Sequence, residues 1–324
     1  VSPTIVKLTG RTNLNHIARQ LPSKDGVWGS CRFVLNRDAR KYDWLVVYHD
    51  LPSSKGKRLS LEHLKCPKER TILITTEPST ITVYGTAYLK QFGTIITSQE
   101  PWVIRHPNTI FTQAGLMWFY GIPFDGGHIL DYKDLKAIQP PNKTKMLSTM
   151  CSERKGFITL HSFRVAFTAR LQKDLPETDV FGHGVRPVSD KAEILDPYLY
   201  HIAVENHVYP HHMTEKLPDA FLGYTLPFYH GCPNADEYFP SESFIPIDCN
   251  NYAKTIDIIK STIKNNEYKD RLPYIIEARR RVLEEHNLFA VLERYIYTSS
   301  STLVKQSNRT SDCIMNRTLF RINK

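Results

Sequence analysis

The sequence has no run of about 18 apolar residues, so no segment is expected to cross a membrane as a helix. It also has no internal repeat at a fixed period and no extended low-complexity segment, which argues against a repeat architecture. The first residues, Val1-Ser2-Pro3-Thr4, do not resemble a signal peptide, and without an initiator Met an anchor could have been trimmed away. The 324 residues are 41% hydrophobic, which is enough for two domains with separate cores.

Cysteine is sparse, with six residues and no Cys-x-x-Cys pair. This excludes a disulfide scaffold and a zinc site of the usual spacing. A reducing compartment is the simpler expectation, although the even number leaves an oxidising one open. We therefore expect a cytoplasmic protein with the option of membrane association. The alternative is the Golgi lumen, if an N-terminal anchor has been removed.

Acidic residues are outnumbered, with 33 Asp and Glu against 42 Lys and Arg, for a net charge of +9. Such a surface attracts nucleic acid, acidic lipid or a phosphate-bearing substrate, and charge alone does not choose among them. No recognised nucleic-acid motif accompanies the charge, so nucleic acid is not an expected partner. The C-terminal tail is a candidate for peripheral membrane contact; its basic residues are Lys305, Arg309, Arg317, Arg321 and Lys324.

Strand-like and helix-like stretches alternate along both halves of the chain, which predicts parallel sheets with helices on both faces. The predicted helices include 163–171, and the predicted strands include 43–48, 71–75, 94–97, 156–160 and 198–204. The polar, Pro-containing stretch 139–145 has the composition of a linker. We expect a domain over 1–141, a second over 142–270, and a helical C-terminal region with a basic tail over 271–324. In α/β domains of this kind ligands bind at the carboxyl ends of strands. The functional groups are therefore expected in loops that face a cleft between the domains.

One segment concentrates the polar chemistry, between Tyr200 and Asp248. A buried strand ends at Val204 and is followed by Glu205-Asn206, and Thr214-Glu215-Lys216 precedes Leu217-Pro218, where a helix is predicted to begin. The start of a helix offers unpaired N–H groups, and Lys216 adds a full charge, which suits a diphosphate. Glu215 could accept hydrogen bonds from ribose hydroxyls. The alternative is an ordinary helix cap.

The order of these elements resembles the donor-binding motif of family 10 glycosyltransferases, the α-1,3/1,4-fucosyltransferases. The matching elements are Val204-Glu205-Asn206, Thr214-Glu215-Lys216, Pro227 to Gly231, and Ser243-Phe244-Ile245 through Asp248. Weaker similarity covers Thr71 to Ser79, Asp179 to Arg186 and Glu277 to Phe289. The sequence departs from the pattern at Val204 and His212, where aromatic residues are common, and at Ile247 to Asn250.

The resemblance implies two Rossmann-like domains facing a cleft (GT-B type) and an inverting transfer of fucose from GDP-fucose to a hydroxyl of an oligosaccharide or glycoconjugate. It implies Glu77 as the general base, with Glu100 as the competing carboxylate. On the donor side it assigns Arg186 and Lys216 to the phosphates. It assigns Glu205, Asn206 and Glu215 to ribose and sugar hydroxyls.

No cofactor is expected beyond the GDP-fucose co-substrate, and no metal, since the sequence contains no Asp-x-Asp triplet. Three alternatives stay open at this point. The same fold could use a different nucleotide sugar, the chain could be a basic nucleic-acid-binding protein without transferase activity, or it could be a catalytically inactive, lectin-like relative.

Overall fold

The computed structural model describes residues 2–11, 14–52, 60–151, 161–302 and 313–320. The chain divides into two compact units. Unit 1 combines Val1–Gly115 with Asn287–Lys324, and unit 2 is Leu116–His286. The domain boundaries predicted at 141 and 270 are therefore wrong. Residues 116–141 belong to the second unit, and the chain returns to the first unit after His286.

The strands of the described residues are β1 (Thr4–Gly10), β2 (Val27–Trp28), β3 (Cys31–Val34), β4 (Trp44–Tyr48), β5 (Leu61–His63), β6 (Thr71–Ile74), β7 (Thr94–Thr97), β8 (Thr109–Phe111), β9 (Lys145–Met150), β10 (Asp179–Phe181), β11 (Tyr198–Val204), β12 (Leu226–His230), β13 (Ile245–Pro246) and β14 (Cys313–Met315). The α-helices are α1 (Asn15–Ala18), α2 (Thr86–Leu89), α3 (Tyr132–Ala137), α4 (His161–Asp174), α5 (Lys216–Leu222), α6 (Tyr252–Lys264), α7 (Glu267–Glu284) and α8 (Leu288–Thr302).

Unit 1 contains a seven-stranded sheet in the order β2-β3-β1-β4-β6-β7-β8. The sheet is parallel except for the β2–β3 pair. β4, β6 and β7 are buried along their whole lengths, as their continuous apolar runs predict for central strands of a parallel sheet. A separate antiparallel pair, β5 with β14, brings the C-terminal segment onto this unit.

Unit 2 contains a five-stranded parallel sheet in the order β10-β9-β11-β12-β13. Its core is rich in buried aromatic residues, and Tyr200 stacks on Phe228 with ring centroids 5.7 Å apart. Helices α5, α6 and α7 belong to this unit. The two units confirm the predicted α/β class and its two Rossmann-like domains.

The main predicted strands and helices are present, with differences at the ends. The exception in unit 2 is β9, a sheet strand that lies partly inside the stretch interpreted as a linker. Its sequence, KMLSTM, has a weak apolar pattern, because Ser148 and Thr149 are buried polar residues bonded to other backbone segments. The strand predicted at 156–160 lies outside the described residues.

The C-terminal region does not form one helical unit. α7 ends at Glu284 in unit 2, and α8 begins at Leu288 in unit 1, where the Asn287 side chain accepts a hydrogen bond from the Ala290 N–H. Arg317, counted above among the tail residues, is only 6% exposed and stacks on the Tyr84 ring at 5.1 Å. It is therefore not a membrane-contacting residue. The other basic tail residues lie outside the described part of the chain.

Candidate functional site

A cavity of about 220 Å³ opens in unit 2 beside the carboxyl ends of β9 and β11. Met150 and Val204, the last residues of these strands, line it together with two aromatic side chains, Phe119 and Phe124. Its charged lining residues are Arg164, Lys191, Glu215, Lys216 and Asp219. The position at the carboxyl edge of a parallel sheet is the one predicted for the ligand site.

Lys216 is the first residue of α5, one residue before the predicted start of the helix, and its ammonium is held by three oxygen atoms. The Nζ atom lies 2.8 Å from Thr214 Oγ1, 3.2 Å from Glu205 Oε2 and 3.2 Å from Glu215 Oε1. Burial alone would lower the pKa of Lys216, but the two carboxylates raise it above its usual value. The side chain is therefore a fixed cation in the wall of the cavity.

Glu205 is completely buried and does not line the cavity. Its carboxylate accepts hydrogen bonds from Thr214 N at 2.8 Å and Thr214 Oγ1 at 2.5 Å, in addition to its ion pair with Lys216. The predicted contact of Glu205 with a ribose or sugar hydroxyl is not supported, because no surface of the side chain is open to a ligand. Glu205 instead fixes the turn that carries Lys216.

Glu215 lines the cavity between two cations, and its side chain is 22% exposed. Lys216 Nζ and Lys191 Nζ lie 3.2 Å and 3.6 Å from Glu215 Oε1. Burial alone would raise the pKa of this carboxyl, but the two lysine charges outweigh burial and hold it far below its usual range. Glu215 is therefore an ionised hydrogen-bond acceptor at the cavity surface, and its contact with ribose hydroxyls stays a prediction.

Arg164 is a cavity residue that the sequence analysis missed. It lies in the first turn of α4, and its guanidinium donates to Asn206 Oδ1 at 2.7 Å and to the Met150 carbonyl at 2.9 Å. Asn206, a predicted donor-binding residue, thus contacts a cation of the cavity. The available signal was a basic residue at the start of a predicted helix, which in a parallel α/β unit lies near the carboxyl edge of the sheet.

Arg186 is not brought to this cavity. Backbone bonding between Gly182 and Arg186 closes a tight turn, and the side chain runs back along β10. The guanidinium stacks on Phe181 at 4.6 Å and lies 3.6 Å from Asp179, the first residue of that strand. The sequence placed Arg186 together with Lys216 in one pocket. The structure separates them, because the turn after β10 reverses the direction of the side chain.

Glu77 follows β6 in unit 1 and is exposed. Buried side chains hold the backbone on both sides of it. The Gln99 amide donates to the carbonyls of Glu77 at 2.6 Å and Thr82 at 2.9 Å, and the Tyr84 hydroxyl accepts from Thr76 N at 3.3 Å. Glu100, the competing carboxylate, is only 6% exposed. Of the two, Glu77 has the accessible carboxylate that a general base needs.

Within the described ranges, no group of three or more His, Cys, Asp or Glu side chains is arranged to hold a metal ion. Nor is any helix of the described part of the chain both long enough and apolar enough to cross a membrane. The expected independence from metal stays a prediction.

Two Rossmann-like α/β units, with a charged cavity at the carboxyl edge of the second, are the organisation expected of a GT-B type protein. The model of one family matches residues 140–271, and its description is glycosyltransferase family 10 (fucosyltransferase) C-term. Residues 140–271 therefore match the family whose motifs the sequence resembles. This segment contains the cavity cations Arg164, Lys191 and Lys216.

A curated relative, the α-(1,3)-fucosyltransferase FucT of Helicobacter pylori, is 34% identical over 87 residues. The match covers 26% of this chain and spans about a fifth of the relative, 18% of its length. Among solved structures, an α1,3-fucosyltransferase aligns with a TM-score of 0.47 and 18% identity over 89% of this chain and 92% of its own. Anabaena Alr3699/HepE in complex with UDP aligns with a TM-score of 0.45 and 10% identity, covering 92% and 100%.

Proposed function

We propose that the protein is an inverting α-1,3-fucosyltransferase that moves fucose from GDP-fucose to a hydroxyl of an oligosaccharide or glycoconjugate. The observation that carries the proposal is the pair of cations, Arg164 and Lys216, in one cavity of a segment that matches the family 10 model. The named function of the Helicobacter relative supports fucose as the transferred sugar and the α-1,3 linkage.

The diphosphate of the donor binds to Arg164 and Lys216. Glu205, the carboxylate that anchors Lys216, is fully buried, so the lysine presents its charge on the cavity side. As the bond from the fucose C1 to the phosphate oxygen breaks, negative charge grows on the leaving GDP, and preorganised cations stabilise it. α5 has only seven residues, so the side chains rather than the helix dipole supply most of this stabilisation.

Glu77 is the proposed general base. The acceptor oxygen attacks C1 from the face opposite the phosphate, the new glycosidic bond forms as the old one breaks, and the acceptor proton passes to the Glu77 carboxylate. An exposed carboxylate on a loop fixed by Gln99 and Tyr84 is suited to this role. Glu215 and Asn206 bind hydroxyls of the ribose and the sugar. Arg186 has no part in this scheme.

The proposed reaction requires no metal ion, because side-chain cations neutralise the leaving group. Calorimetric titration with GDP and with UDP, each with and without a chelator, tests the proposal. We expect GDP to bind more tightly than UDP by at least about tenfold, with no effect of chelator. Binding of neither nucleotide would refute the proposal. A preference for UDP would favour the alternative of a different nucleotide sugar.

A further inference from the structure

Lys191 is the cation of the cavity that the proposed chemistry leaves without a role. Its ammonium lies 2.7 Å from Asp219 Oδ2 and 3.6 Å from Glu215 Oε1, and its side chain is only 12% exposed. Two carboxylates already share its charge. Because the Asp219 carboxylate holds the ammonium closely on one side, Lys191 is placed to orient Glu215 on the other side.

Both ends of Lys191 are fixed to the same segment, residues 119–121, whose first residue lines the cavity. Asp219 Oδ1 accepts the backbone N–H groups of Phe119 at 2.9 Å and Tyr120 at 3.0 Å, which leaves Oδ2 for the lysine. Asp190 caps the 3₁₀ turn that starts at Lys191. Its Oδ1 atom accepts the next N–H group of the same segment, that of Gly121, at 2.9 Å. The lysine ammonium therefore has little freedom to move relative to the 119–121 segment.

Glu215 lies between this ammonium and that of Lys216, and both contact the same oxygen, Oε1. Two cations on Oε1 hold the carboxylate in one orientation, so that the direction in which Oε2 can accept a hydrogen bond is set before a ligand arrives. With one cation removed, the carboxylate would rotate about the remaining ion pair. Preorganisation of this kind increases affinity by reducing the ordering cost of binding.

We propose that Lys191 is a positioning residue that sets the Glu215 carboxylate for the ribose hydroxyls of the nucleotide, an inference that rests on the function proposed above. Asp219 links the 119–121 segment to Lys191, because it accepts hydrogen bonds from the backbone of that segment and forms an ion pair with the lysine. The consequence is specific. Loss of Lys191 should weaken the recognition of ribose hydroxyls more than the recognition of the diphosphate.

The test compares the dissociation constants of GDP and 2′,3′-dideoxy-GDP, whose ratio measures the recognition of the ribose hydroxyls. A charged acceptor bonded to a hydroxyl predicts a ratio of about ten- to a hundredfold in the native protein. We expect Lys191→Met to reduce the ratio at least about fivefold, towards that of Glu215→Gln. Lys191→Arg should keep most of the native ratio. The double variant, Lys191→Met with Glu215→Gln, should have a ratio no lower than that of Glu215→Gln alone.

Lys143→Met is the matched control, because Lys143 is a partly buried lysine of the same unit that donates to the carbonyls of Leu195 and Gly223 and does not itself line the cavity. It should lower stability and leave the ratio unchanged. An equal loss of affinity for both nucleotides in Lys191→Met, or a native ratio near one, would overturn the inference. Absence of GDP binding by the native protein would instead refute the proposed function itself.

Discussion

The carboxyl edges of the two sheets are built in different ways. In unit 2 the edge carries an interleaved set of charges, with Lys216 between Glu205 and Glu215 and Lys191 between Glu215 and Asp219. In unit 1 the corresponding edge exposes one carboxylate, Glu77, on a loop that neutral side chains hold by its backbone.

The difference matches two chemical tasks. A diphosphate is bound by fixed cations, and in unit 2 the buried carboxylate of Glu205 helps to hold Lys216 in place. A general base must accept a proton, so an ion pair that favours its charged form would weaken it. No hydrogen bond to the Glu77 carboxylate occurs among the residues that the structure describes, and the loop derives its order from Gln99 and Tyr84 instead.

The largest effect is expected at Lys216. Lys216→Ala should reduce transfer by about 10³-fold, because a charge-stabilising donor is lost from the transition state, and should weaken GDP binding. It also leaves Glu205 buried without its cation, at a cost of about 3–5 kcal/mol in the free energy of unfolding. Steady-state kinetics, titration and thermal unfolding measure these effects. Lys216→Arg is the charge-retaining control, and near-normal turnover in Lys216→Ala would contradict the assignment.

Glu77→Gln should distinguish most directly between the role of the unit 1 edge in turnover and the role of the unit 2 edge in GDP binding. We expect a reduction in turnover of about 10²- to 10⁴-fold, because proton acceptance is lost, with an unchanged dissociation constant for GDP. Kinetics and calorimetry on the same preparation provide the measurement. Glu100→Gln serves as the comparison. If turnover fell in that variant while Glu77→Gln remained active, Glu100 would be the base.

Gln99→Met removes the amide that donates to Glu77 and Thr82 while keeping the length of the side chain. Turnover should fall about tenfold as the loop loses its fixed backbone, and the affinity for GDP should not change. Two carbonyls lose their partner, so the free energy of unfolding should decrease by about 1–3 kcal/mol. A variant with the same loss of stability and full turnover would show that the loop does not need Gln99.

Arg186→Ala should have the smallest effect and distinguishes the structure from the sequence hypothesis. The family resemblance, which assigns Arg186 to the donor phosphates, predicts loss of transfer and weaker nucleotide binding. The structure predicts a change of less than about twofold in the affinity for GDP, because the guanidinium is exposed and paired with Asp179. Arg164→Ala is the informative counterpart and should weaken GDP binding at least about tenfold. If Arg186→Ala weakened GDP binding more than Arg164→Ala, Arg186 would be a residue of the nucleotide site.

Local patterns predicted much of the molecule. Continuous apolar runs identified β4, β6, β7 and β11, because buried parallel strands need no alternation. They failed for β9, whose buried Ser148 and Thr149 are satisfied by partners distant in the sequence. The domain boundary was misplaced for the same reason: nothing local shows that the Phe119–Tyr120 backbone bonds to Asp219, about a hundred residues further on.

The sequence by itself determined the fold class, the match of residues 140–271 to family 10, and the position of Glu215 and Lys216 at the start of a helix, because these depend on periodicity and on motifs of neighbouring residues. Only the tertiary structure decided which cations meet. It brought Arg164 and Lys191 to Lys216, turned Arg186 away, and placed Glu205 behind the cavity wall. The direction of a side chain depends on the turn that carries it and on partners from other elements, and these are contacts that spacing along the chain does not encode.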